Sequence, residues 1–121
     1  LAELPGIKQV LYPGRRDHPD FELARHLFAG NGGNMVSFEI DGGRNVVDRF
    51  IAAVPDIPFA PTLGDIGTTL SHPASSSHRA LTAEKRASLG MNEGFFRLSV
   101  GIEDGEMLAE ELSKAIAIGI N

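Results

Sequence analysis

Two short stretches of this chain alternate apolar and polar side chains, and that period of two constrains its fold more than any other feature. In Met35–Ile40, Val36, Phe38 and Ile40 fall on one side and Met35, Ser37 and Glu39 on the other. In Phe95–Val100, Phe96, Leu98 and Val100 oppose Arg97 and Ser99. Successive strand residues point to opposite faces, so both stretches predict half-buried strands with one face on a core.

Helical spacing fills much of the remainder. Phe21, Ala24, Leu27 and Phe28 share a face over Asp20–Ala29, and Gly30 stops that run. After the turn Asp41-Gly42-Gly43, Val46, Val47, Phe50, Ile51 and Val54 form a second stripe, which Pro55 and Pro58 close. Thr82 can cap a helix running to Leu89, with Gly90 behind it. Asp104 can cap a last helix carrying Leu108, Leu112, Ala115 and Ile116. Shorter extended pieces are expected at Val10–Tyr12, Ile57–Ala60 and Thr68–Ser71. Leu1–Leu4 reads as a helix end stopped by Pro5-Gly6, and a start inside an element suggests a fragment.

From Met35 onward the predicted order is β-α-β-β-α-β-α, which resembles a split βαβ arrangement. The expected fold class is α+β in two layers, a small antiparallel sheet with helices packed on one face. Residues 1–121 form one domain. Within it, 1–31 hold a connecting helix end and the first helix, and 32–121 the sheet-and-helix core.

Composition narrows the function classes. The net charge of −5 sets the whole-molecule field against nucleic acid and anionic membranes. Without cysteine there are no disulfides, thiolate metal sites or cysteine nucleophiles, which suits a cytoplasmic setting. No apolar run approaches the ~20 residues of a membrane span, and Glu3, Pro5 and Lys8 interrupt any signal peptide.

Arg97 is the most informative residue. A guanidinium in the middle of so apolar a strand needs an anionic partner, because unpaired burial is costly. That partner is either an internal Asp or Glu, or the carboxylate of a ligand gripped by the planar fork. The hydroxyl-rich run Thr68–His78 is ordinary loop and cap chemistry by its residue types. His72 and His78 with His18 or His26 match no familiar zinc spacing. Gly30–Gly33 precedes a strand where a phosphate cradle would open a helix, and Asp41-Gly42-Gly43 lacks the full glycine pattern.

Read as words, these residues resemble a known family. Tyr12-Pro13-Gly14 with His18-Pro19 and Glu22-Leu23-Ala24, then Gly32-Gly33-Asn34-Met35-Val36-Ser37-Phe38-Glu39, resemble conserved stretches of the pyridoxal-phosphate (PLP) enzymes of sulfur amino-acid metabolism. Leu63-Gly64-Asp65 and His72-Pro73-Ala74-Ser75 with His78 are similar to that family's next segment. Arg97-Leu98-Ser99-Val100-Gly101-Ile102-Glu103-Asp104 matches its R-L-S-V-G-I-E-D residue for residue.

The resemblance implies the C-terminal small domain of a fold-type I PLP enzyme of trans-sulfuration. The nearest type is cystathionine γ-synthase, with methionine or cystathionine γ-lyase and O-acetylhomoserine sulfhydrylase as alternatives. It implies that Arg97 holds the substrate's α-carboxylate and that Thr68 lies at the active-site wall. Gly67 stands where the family has Glu and Thr69 where it has Leu, so both are possible specificity positions. PLP is the implied cofactor of the full-length enzyme. The lysines Lys8, Lys85 and Lys114 lie outside the family's S-x-T-K context, so this piece alone is expected to hold none covalently and to be inactive. The implied partners are an amino-acid substrate, a large PLP-binding domain of the same chain and further copies in a homo-tetramer. From another class, a stand-alone ferredoxin-like module binding an amino acid fits the same element order. So does a dimerisation domain with Arg97 in an internal ion pair.

Overall fold

The structure is a computed structural model that describes residues 1–54 and 56–121. In chain order the elements are β1 (Ile7–Leu11), α1 (Phe21–Phe28), β2 (Met35–Ile40), α2 (Arg44–Ala52), β3 (Thr69–Ser71), α3 (Ala83–Ser88), β4 (Phe95–Ser99) and α4 (Gly105–Ile120). The strands form one four-stranded sheet in the order β1-β2-β4-β3, each antiparallel to its neighbour. Strands β2 and β3, joined through α2, are separated by β4, which is the split βαβ topology. The architecture is α+β.

The alternating pattern explains which face is buried. Phe38 pairs with Phe96, Val36 with Leu98, and Leu98 with Leu70, so one sheet face is continuously apolar. Against it pack Val47 and Phe50 of α2 and Leu112, Ala115 and Ile116 of α4. Phe38 stacks on Phe96 with centroids 5.5 Å apart, and Phe50 meets Phe96 edge-on at 4.9 Å. Such aromatic pairs add roughly 0.5–1.5 kcal/mol beyond the area they bury.

Several expectations change. Leu1–Leu4, expected as a helix end, is a turn closed by the Leu4 N–H on the Leu1 carbonyl, and Pro5-Gly6 follows it directly. Strand β1 starts at Ile7 and carries a bulge between Ile7 and Gln9. The strand expected at Ile57–Ala60 reduces to one parallel bridge, Phe59 to Leu70. Pro58 and Pro61 have no N–H for a ladder, so pairing stops there. From Met35 the order is therefore β-α-β-α-β-α. The reading that Pro55 ends α2 lies outside the described residues. On α1 only Ala24 is buried, while Leu27 and Phe28 remain 63% and 53% exposed. Among the described residues no helix is long and apolar enough to cross a membrane.

Candidate functional site

Strand β4 places Arg97 on the sheet face opposite Phe96 and Leu98. Its cross-strand neighbours there are Ser37 of β2 and Ser71 of β3. The side chain is half-buried. Among the described residues, no ion pair or side-chain hydrogen bond involves its guanidinium. Other arginines differ, the half-buried Arg86 and the exposed Arg49 among them. Arg86 reaches Glu93 at 2.8 Å and the Leu81 carbonyl at 2.5 Å, and Arg49 donates to the Gly119 carbonyl at 2.6 Å. Arg97 thus stands between two hydroxyl-bearing neighbours with all its donors available.

The buried carboxylate on that face is already satisfied. Glu39 is 3% exposed and accepts from Lys8 Nζ and Gln9 Nε2, both at 2.8 Å, and from Asn92 Nδ2 at 3.0 Å. In a regular strand Lys8 and Gln9 would point to opposite faces; the bulge in β1 lets both reach Glu39. The alternating pattern alone put Glu39 on the non-core face and carried no signal of this cluster.

The remaining predicted site residues take different positions. Thr68 is buried, with its hydroxyl donating to Glu103 at 2.7 Å and accepting from the Gly101 N–H at 2.9 Å. Its own N–H donates to the second Glu103 oxygen at 2.6 Å. These bonds hold the Glu103 carboxyl below the usual carboxylate range. Gly67 lies beside this contact: a Cβ there would sit 3.7 Å from Glu103 Oε1, so a side chain has room. Thr69 faces Ser99 across the ladder, is 6% exposed, and its hydroxyl has no partner. In the sequence Glu103 carries no signal beyond its place in the Arg97–Asp104 match, because its partner Thr68 lies 35 residues away.

His72 faces inward instead of toward a ligand. It stacks on Phe96 at 4.8 Å and its ring nitrogens meet Ser75 Oγ at 2.7 Å and the Glu93 carbonyl at 2.6 Å. A cavity of about 510 Å³ lies elsewhere, lined by Asp56, Glu103, Asp104, Glu110 and Glu111 among others. Burial, then Asp56 and Glu103, push the Glu111 carboxyl up. That acid-lined space has the wrong sign for an anionic ligand; the Arg97 face has the right one.

Over residues 1–117 the sequence matches the family described as Cys/Met metabolism PLP-dependent enzyme. The chain belongs to this family. It is 40% identical to the O-succinylhomoserine sulfhydrylase of Pseudomonas aeruginosa, over 97% of this chain and 29% of that protein. It is 39% identical to the cystathionine gamma-lyase of Bacillus subtilis, over 96% of this chain and 30% of the relative. The solved cystathionine gamma-lyase from yeast superposes with a TM-score of 0.86 at 32% identity, over 96% of this chain and 30% of that one. Cystathionine gamma synthase from Xanthomonas oryzae pv. oryzae, solved with cystathionine, gives 0.80 at 34% identity, over 98% and 30%. The chain therefore spans about three-tenths of the length of the relatives it matches.

The family is described as PLP-dependent. Lys8 is paired with Glu39, Lys114 with Glu110, and Lys85 is exposed on α3. None stands beside Arg97 in the sheet. What this Cys/Met family chain offers is a guanidinium and neighbouring hydroxyls, a set suited to holding an anionic group.

Proposed function

We propose that this chain is the C-terminal, substrate-side small domain of a PLP-dependent trans-sulfuration enzyme, a two-layer unit in which Arg97 holds the amino-acid substrate's α-carboxylate. The observation that carries this reading is that the half-buried Arg97 has no internal carboxylate partner for its guanidinium among the described residues. An internal ion pair was the alternative, and every described ion pair involves other residues. PLP, held by a large domain of the same protein, supplies the electron sink of the chemistry. Arg97 orients the substrate by a two-pronged grip on its carboxylate. Thr68 shapes the wall beside it, and Gly67 and Thr69, which depart from the family pattern, tune what fits. A homo-oligomeric, cytoplasmic enzyme belongs to the same reading.

The reaction class is γ-replacement on an activated homoserine by a thiol such as cysteine, in the manner of cystathionine γ-synthase. A second reading, with sulfide as the nucleophile, is favoured by the 40% identity to the Pseudomonas aeruginosa sulfhydrylase. Turnover of O-succinyl- and O-acetylhomoserine with cysteine against sulfide, in the full-length enzyme, separates the two. The carboxylate role is tested there as well. Arg97→Lys keeps the charge and loses the fork, and is expected to cost ~1.5–3 kcal/mol, roughly ten- to hundredfold in kcat/KM. Arg97→Ala is expected to cost more and leave the PLP absorbance unchanged. A near-normal kcat/KM in Arg97→Ala overturns the assignment.

A further inference from the structure

The connection that enters β3 is tied to the segment that leaves β4. The Gly64 N–H donates to Ser99 Oγ at 3.1 Å, and the Ile102 N–H donates to the Ile66 carbonyl at 3.0 Å. The Gly101 N–H donates to Thr68 Oγ1 at 2.9 Å. The Thr68 N–H and hydroxyl close on the two oxygens of Glu103 at 2.6 and 2.7 Å. The approach at Gly101 is so close that a Cβ there would collide with the Ile66 carbonyl and the Gly67 backbone. Glu103 itself is exposed and has no cationic partner among the described residues, so both of its oxygens are oriented by one threonine.

This latch bears on the Arg97 face. Ser99 lies two places beyond Arg97 on the same side of β4, and its hydroxyl accepts from the backbone of Gly64. The 64–68 turn therefore lies over the end of the face from which the guanidinium projects. Thr69, directly after the latched residue, is buried opposite Ser99 with its hydroxyl unpartnered. If the Glu103–Thr68 contact opened, two of the five tethers would be lost at once and the turn could shift relative to Arg97.

We infer that Glu103 is a positioning residue for the substrate-carboxylate site, acting through Thr68 to set the turn that walls the approach to Arg97. The inference rests on the reading of Arg97 given above. Glu103 touches no reacting atom in this role, so its loss acts on substrate binding.

The test is steady-state kinetics of the full-length enzyme with its amino-acid substrate. Glu103→Gln keeps the size, removes the charge and turns one of the two acceptors into a donor. It is expected to raise KM ~5–20-fold with kcat within about twofold. Thr68→Val, which removes the hydroxyl from the other side, is expected to do the same, and Thr68→Ser to restore KM to within about twofold of the original. Thr68→Val also removes the acceptor of the Gly101 N–H, so the double variant Glu103→Gln/Thr68→Val is expected to be no worse than Thr68→Val alone, which already lacks the hydroxyl that Glu103 acts through. An unchanged KM in Glu103→Gln and Thr68→Val overturns the inference, as does a fall in kcat and melting temperature with KM intact. Arg97→Lys run alongside separates the layers. If it raises KM while Glu103→Gln does not, only the latch fails; if it leaves KM unchanged, the carboxylate reading beneath it fails.

Discussion

At the residue scale His72 carries the clearest consequence. Its Nε2 faces the Glu93 carbonyl at 2.6 Å, so that nitrogen must bear the hydrogen, and Nδ1 is left to accept from Ser75 Oγ. The ring is 3% exposed and stacked on Phe96. Burial holds its pKa below the ordinary value, and the Glu93 carbonyl only partly opposes this. An unfolded histidine titrates near ~6.5, so below that pH the unfolded chain binds a proton that the folded chain refuses. The stabilisation from His72 is thus fully present above pH ~6.5 and is lost as pH falls toward the depressed folded value. Urea midpoints measured between about pH 8 and pH 5 are expected to decline through that window, and His72→Gln to flatten the decline. A wild-type midpoint that stays level there would show that the imidazole takes its proton without cost.

At the scale of elements, what ends a helix or strand matters as much as what fills it. Helix α4 starts at Asp104, whose carboxylate accepts from the N–H groups of Glu106 and Met107, both at 3.0 Å. Because α4 carries Leu112, Ala115 and Ile116 into the core, fraying at its first turn reaches the packed face. Asp104→Ala is expected to lower stability by ~1 kcal/mol, read as a shift in denaturation midpoint at unchanged slope. The period-two strands β2 and β4 and the stripe of α2 were legible from side-chain spacing. The piece at Ile57–Ala60 was not, because its prolines decide how few ladder bonds it can make. The apolar face of α1 was legible as a face, yet nothing in the spacing says that Leu27 and Phe28 stay outside the core.

For the whole molecule, those side chains set the expected behaviour in solution. Leu23, Leu27 and Phe28 stand exposed on one short helix at 56, 63 and 53%, more apolar surface than an isolated helix face normally leaves to water. The 121-residue chain is expected to self-associate as concentration rises, and Leu27→Glu to weaken that association. Sedimentation velocity over a concentration series checks both. A clean monomer throughout would mean that the exposed face is tolerated in water.

Sequence alone determined the elements whose signals are local: alternation in β2 and β4, the stripes of α2 and α4, the caps at Thr82 and Asp104, and the face on which Arg97 lies. Each depends on residues a few places apart, so period and capping chemistry suffice. Only the tertiary structure decided which polar groups remain available. Lys8 reaches Glu39 across 31 residues, Asn92 reaches it across 53, and Thr68 reaches Glu103 across 35. A pattern can place a carboxylate or a hydroxyl on a face, but its partners come from strands brought alongside by the topology and, for Glu39, from a bulge that rotates two neighbours the same way. Arg97 is distinguished by what those distant segments do not bring to it among the described residues, because the acid beside its strand, Glu39, is already held by others.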